Sequence, residues 1–210
     1  MAEPYRTVAG RARSAFEVRG SEFIGHASPA ASVEDAEAFI ETIEAEFADA
    51  THNVPAYRVP GDSSDRDSPE SEAMLREYAS DDGEPSGSAG KPCLNVLQGE
   101  EIRNVVVVVT RYYGGTNLGV GGLVRAYSRA TKEAIEAAGV IEEEPARELD
   151  LECVYDDSGT VRGILKSTGA DFEATYGEDV SFEVRVPIDD AEELEDRLRS
   201  ATSGRIEIGE

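Results

Sequence analysis

The chain is poor in the residues from which metal and redox sites are built: 210 residues hold two cysteines, Cys93 and Cys153, and two histidines, His26 and His52. The cysteines sit in apolar, strand-like contexts without ligand spacing, and neither histidine lies near them in sequence. A disulfide framework and a zinc site are thereby excluded, and no metal or other cofactor is expected. No apolar run approaches the ~18 residues of a membrane span, and the N-terminal MAEPYRTVAGRAR lacks the apolar core of a signal peptide. A cytoplasmic protein without a membrane partner is expected. Lysine is also scarce: Lys91, Lys132 and Lys166 stand beside seventeen arginines and 44 acids, for a net charge of −24. Such a surface suits concentrated salt, where the Debye length falls to ~3 Å at 1 M and self-repulsion is screened. The acidity therefore points to a halophilic habitat before it points to a partner.

Against that background one segment stands out. Pro85 to Lys132 carries six bases (Lys91, Arg103, Arg111, Arg125, Arg129, Lys132) and two acids (Glu100, Glu101), so it is +4 while the remainder is −28. Helical spacing offers internal partners to two of these bases, Arg129 with Glu133 and Lys132 with Glu136. The others are free to meet an anionic ligand.

Two glycine-rich stretches fall in or beside this segment, and neither is a nucleotide motif. DDGEPSGSAGKP, Asp81 to Pro92, ends like a Walker A loop, but Pro92 stands where the magnesium-binding hydroxyl belongs. GGTNLGVGG, Gly114 to Gly122, has Val124 where a dinucleotide fingerprint from Gly119 needs glycine, and Val120 where a Walker A from Gly114 needs lysine. What remains is strand, glycine loop and helix: NVVVVVTRYY reads as a strand buried on both faces that delivers Arg111, Tyr112 and Tyr113 to its end. Leu123, Ala126, Tyr127, Ala130, Ala134, Ala137 and Ala138 then mark one face of a helix closed by Gly139. Such a unit sets unpaired N–H groups and a positive helix end beside a ligand.

Elsewhere, residues 5–30 read as a hairpin turning at Gly20 and Ser21, and Ser32 caps a helix whose apolar face is Ala36, Phe39, Ile40, Ile43 and Phe47. THNVPAYRV is a further strand, and residues 61–80 are expected to form an acid-rich loop. After Pro145 the texture becomes strand, helix, strand, strand, helix, strand, the ferredoxin-like order βαββαβ. Domains are placed at 1–145 and 146–210.

THNVPAYRV, DDGEPSGSAGKP, VVVVVTRYYGGTNLGVGGLVRAY and the C-terminal βαββαβ pattern, in this order, resemble the YigZ/IMPACT family, also called UPF0029. The resemblance spans nearly the whole chain. It implies an α+β protein of two domains, an N-terminal domain like the second domain of ribosomal protein S5 and a ferredoxin-like C-terminal domain. It also implies a link to translation. Eukaryotic members act through an additional N-terminal RWD domain, which is not expected here. Two departures weigh against catalysis: Val54 replaces a cysteine common in relatives, and Val120 replaces a hydroxyl residue.

The candidate site gathers Lys91, Arg111, Arg125 and Arg129 as phosphate contacts and Tyr112 and Tyr113 as stacking faces. Gly114, Gly115, Gly119, Gly121 and Gly122 form the anion loop. His52, Asp81, Asp82, Glu84 and Ser86 form an adjoining cleft loop. The expected function is non-enzymatic binding of RNA or a ribosomal surface, or docking of a protein partner in translation control. The alternative is an enzyme or ligand-binding protein for a small anionic or phosphorylated substrate. There His52 or Asp82 would accept a proton near an anion held by Arg111 and Gly121. Should Arg111 pair internally, Asp81 and Asp82 are the expected partners.

Overall fold

The computed structural model describes residues 3–61 and 75–209. It divides into two compact units, Tyr5–Glu143 and a C-terminal unit from Glu144.

The first unit is built around a five-stranded antiparallel sheet in the order β2-β3-β6-β4-β5. Its strands are β2 (Ala12–Val18), β3 (Ser21–Pro29), β4 (His52–Pro60), β5 (Leu75–Ala79) and β6 (Val105–Tyr112). A two-stranded ribbon of β1 (Tyr5–Val8) and β7 (Val140–Glu143) accompanies it. The β2–β3 hairpin closes through Arg19 (φ 49°) and Gly20 (φ 81°), the pair of positive φ values that a two-residue turn matched to strand twist requires.

Helix α1 (Val33–Glu46) covers one face of the sheet, and α2 (Gly90–Gly99) and α3 (Val120–Ala138) cover the other. Ser32 caps α1 by accepting the Asp35 N–H at 3.1 Å. The valine run of β6 is central, and its period of two divides the core. Val106 and Val108 meet Phe39, Ile40 and Ile43 of α1, while Val105, Val107 and Val109 meet Cys93, Leu97 and Tyr127 of α2 and α3. Each valine so buried contributes about 1.5 kcal/mol or more. At Gly25 of β3 the approach of α3 is so close that a Cβ would stand 2.4 Å from the Ala130 carbonyl oxygen.

The C-terminal unit runs β8 (Ala146–Cys153), α4 (Tyr155–Thr168), β9 (Asp171–Tyr176), β10 (Val180–Pro187), α5 (Ile188–Ala201), β11 (Glu207–Gly209). Its sheet order, β11-β8-β10-β9 with every pair antiparallel, is the ferredoxin-like arrangement. Leu149, Leu151, Phe182, Val184, Val161, Leu165, Leu194 and Leu198 form its core beneath the two helices.

Two local expectations need correction. The acid-rich loop lies for the most part outside the described residues, and its last part, Leu75–Ala79, is an edge strand paired with Ala56–Pro60. The stretch read as a loop through Pro92 becomes helix α2 at Gly90, with Pro92 in the first turn, where a missing N–H costs nothing.

Candidate functional site

Where the valine run ends, the same alternation carries Thr110 to the α1 side and Arg111 to the α3 side. Thr110 donates to Asn53 Oδ1 at 2.7 Å. Arg111 is 4% exposed. Its Nη1 donates to Glu84 Oε1 at 2.5 Å, its Nη2 donates to Ser21 Oγ at 3.3 Å, and its guanidinium lies between 5 and 6 Å from the ring centres of Phe23 (5.4 Å) and Tyr113 (5.3 Å). Glu84 is also buried, and the same Oε1 accepts the Tyr127 hydroxyl at 2.8 Å. The expected role of Arg111 as an open phosphate contact gives way to an internal ion pair. Its partner is Glu84 rather than Asp81 or Asp82, because the loop turns those two carboxylates onto backbone N–H groups.

Asp81 accepts from the N–H groups of Gly87, Ala89 and Gly90 at 2.6, 3.0 and 2.9 Å, tying the loop to the first turn of α2. Burial pushes its carboxyl pKa up, but the three donors outweigh burial and hold it below the ordinary carboxylate value. Asp82 accepts the Asn53 N–H at 2.6 Å, and its carbonyl accepts from His52 Nδ1 at 2.5 Å. That bond fixes the proton of a neutral His52 on Nδ1 and leaves Nε2 facing Glu84 Oε1 at 3.9 Å. The cleft loop is thus a buckle joining β4, β6 and α3. Ser86 is exposed on it and Lys91 is exposed on α2.

The glycine loop forms a different feature. Gly114 is packed against the hairpin turn, where a Cβ would fall 1.8 Å from the Gly20 carbonyl oxygen, and its N–H donates to Ser21 Oγ at 3.1 Å. Gly119 caps α3 at φ 70° and ψ 162°, a backbone open in practice to glycine alone. Gly115 also has positive φ, whereas Gly121 and Gly122 lie in the first turn of the helix. That turn carries no acid, and Arg125 Nη1 lies 3.6 Å from where a Gly121 Cβ would stand.

Beside it runs a groove of about 320 Å³ lined by Phe16, Val18, Arg19, Leu118, Gly122, Arg125, Ala126 and Arg129. Three arginines line it and no carboxylate does. Arg129 stacks over Phe16 at 4.0 Å and pairs with Glu133 at 2.7 Å, as its spacing implied. Arg19 and Arg125 have no carboxylate partner among the described residues.

Of the expected site residues, then, Arg125, Arg129 and Gly122 come together, and Lys91, Arg111 and His52 do not line their groove. Lys132 pairs with Glu100 at 3.2 Å rather than with Glu136, and Arg103 covers the Tyr5 ring at 4.2 Å. Tyr112 and Tyr113 do not line the groove but an adjoining hollow of about 440 Å³, which shares Phe16 with it and holds Glu17 and Glu22. The Tyr112 hydroxyl donates to Asp49 and that of Tyr113 to Asn117. Arg19, Phe16 and Leu118 were not foreseen. The one sequence signal for Arg19 is its place before Gly20 in the hairpin turn, which projects it from the sheet.

Among the described residues no cluster of His, Cys, Asp and Glu has the form of a metal site, and no helix is long and apolar enough to cross a membrane. Cys93 is fully buried, and burial pushes its thiol up to about 12, so it is no nucleophile.

The chain matches the Impact N-terminal domain over residues 19–135 and a domain of unknown function, DUF1949, over residues 151–205. It is 32% identical to the IMPACT family member YvyE of Bacillus subtilis, over 100% of this chain and 92% of that one. It is 33% identical to the IMPACT family member YigZ of Escherichia coli, over 91% and 90% respectively. A solved structure described as that of a hypothetical protein shares 29% identity, covers 99% of this chain and 97% of its own, and superposes with a TM-score of 0.66.

Proposed function

We propose that this chain, which belongs to the IMPACT family, is a non-enzymatic binding protein for RNA or an RNA-bearing ribosomal surface. The translational role that the family resemblance implies is proposed with it. The observation that carries the reading is the groove between the β2–β3 turn and the start of α3. In a chain of net charge −24, Arg19, Arg125 and Arg129 line it; Arg129 is paired with Glu133, while Arg19 and Arg125 have no carboxylate partner among the described residues. Carboxylates elsewhere on such a surface repel a polyanion, so the groove is where phosphates meet an attractive field.

Each feature of the local fold serves that field. Gly119 starts α3 without an acidic cap, leaving the positive end of a nineteen-residue helix beside Arg125. Gly114 lets the loop close against Gly20 and so fixes Arg19 relative to α3. The Arg111–Glu84–Tyr127 network locks β6, the 81–90 loop and α3 together beneath the groove. Arg111 thus positions the site without touching the ligand.

The enzyme alternative asks His52 and the glycine loop to share one cleft. His52 lies instead against Glu84 and does not line the arginine groove. The test is a binding titration with total RNA fragments and with ribosomes, in one molar-salt buffer, of wild type, Arg19→Ala/Arg125→Ala and Arg185→Ala. The double variant is expected to lose about a hundredfold or more in affinity through two charge-assisted contacts while melting like wild type, and Arg185→Ala is expected to bind normally. Equal affinities for all three proteins would contradict the proposal.

A further inference from the structure

We infer that the ligand of the arginine groove is the phosphate backbone of double-stranded RNA, read without contact to the bases; this rests on the binding function proposed above. Single-stranded nucleic acid is held by aromatic platforms on which bases stack, together with a basic track for the backbone. Duplex RNA hides its base edges and is recognised by its shape, its phosphates and its 2′-hydroxyls. A single strand therefore gains most from a basic groove that also offers an aromatic face, and a duplex gains nothing from one.

This groove has no such face to spare. Its aromatic residue, Phe16, already carries the Arg129 guanidinium at 4.0 Å and stacks on Phe23 at 5.6 Å with an interplanar angle of 12°. The two tyrosines expected to stack on bases line the adjoining hollow, which shares Phe16 with the groove but also holds Glu17 and Glu22, whose charges repel a phosphate chain. The Tyr113 ring, 44% exposed, meets the Arg111 guanidinium at 5.3 Å and does not line the groove. The remaining lining, Val18, Leu118, Gly122 and Ala126, has no side chain that can hydrogen-bond a base edge.

What the groove does offer is a set of cations rooted on rigid backbone. Arg125 and Arg129 are one helical turn apart, about 6 Å along the axis of α3, which is of the order of the separation between neighbouring phosphates on one strand. Arg19 stands on a two-residue turn whose backbone leaves little freedom. A row of arginines rooted on a helix and a tight turn suits a rigid array of phosphates and discriminates against a flexible strand, which must be ordered without the return from stacking.

The experiment uses the full chain and four fluorescent probes: two blunt RNA duplexes of about 16 base pairs with unrelated sequences, and one strand of each alone. Salt is varied. The two duplexes are expected to bind within twofold of each other and at least tenfold more tightly than either single strand. Their affinity is expected to fall with salt at a log–log slope of about −2, one phosphate for each of Arg19 and Arg125, since Arg129 already pairs with Glu133, and Arg125→Ala is expected to lower that slope by about one. Single strands binding as tightly as duplexes, or a tenfold difference between the two duplex sequences, would overturn the inference while leaving RNA binding intact. Failure of all four probes to bind would overturn the RNA-binding function as well.

Discussion

The two units present opposite hollows. In the first, the groove between the β2–β3 turn and α3 has three arginines and no acid; in the second, a hollow of about 470 Å³ on the open face of the sheet holds Glu148, Asp150, Asp171, Glu173 and Glu183 around Arg185. Across β10, Glu183 pairs in register with both Asp150 and Glu173, a like-charge row that is unfavourable at low salt. A sheet face of this kind repels nucleic acid, although the ferredoxin-like fold elsewhere lends that face to binding. Composition alone makes both units acidic. The difference teaches that function shows in where the acids are missing.

The interiors differ as well, and the largest expected effect lies there. The first unit buries an ion pair and the second packs an apolar core. Glu84→Ala strands the Arg111 guanidinium without its partner, and a loss of about 3–5 kcal/mol is expected in urea or thermal unfolding. Glu84→Leu combined with Arg111→Met should recover most of it, since replacing both partners removes the uncompensated charge. A destabilisation by Glu84→Ala no larger than that of a surface substitution would show that the pair is not closed in solution.

Acid separates the units next. Both histidines belong to the first. Burial, reinforced by the Arg13 charge, pushes His26 from its ordinary value down to about 4. Between pH 6.5 and 4 the unfolded chain therefore binds a proton that the folded chain refuses, so stability falls as pH falls through that window. The expected loss approaches about 3 kcal/mol at its lower end. Melting curves of wild type and His26→Gln across that range check the sign: the wild-type slope should exceed that of the variant. Parallel slopes would show that His26 is not buried neutral.

Much of this architecture was legible beforehand, and the reasons are physical. Strong periodicity marked β6, α1, α3 and the six C-terminal elements, because each buries an apolar face that recurs at its own repeat. The start of α1 was legible in Ser32, whose cap is local. Helix α2 was not, because its first turn is organised by Asp81, nine residues before Gly90. Glu84 was read as a cleft-loop residue but not as the partner of Arg111, for nothing nearby in sequence shows that Arg111 will face it from β6. The site was half legible for the same reason. Arg125 and Arg129 lie on one helix face and could be paired by spacing, whereas Arg19 and Phe16 reach them only through the sheet, and Tyr112 and Tyr113 adjoin the glycine loop in sequence yet line another hollow.

Two glycines sharpen the contrast at a smaller scale. A Cβ at Gly25 in the first unit meets the backbone of α3, and Gly25→Ala is expected to cost about 1–3 kcal/mol through overpacking. Gly163, within α4 of the second unit, has open space at that position, and Gly163→Ala is expected to stabilise by about 0.5–1 kcal/mol. Urea midpoints of the two variants, moving in opposite directions from wild type, would bear this out, and a shift of the same sign would not.

The central claim is that RNA meets the first unit at its arginine groove and avoids the acidic sheet of the second. Photo-crosslinking of the full chain to RNA or ribosomes in molar salt, with the crosslinked peptides mapped by mass spectrometry, tests it most directly. The expected crosslinks fall within residues 16–19 and 118–129; crosslinks confined to residues 148–185 would contradict the claim.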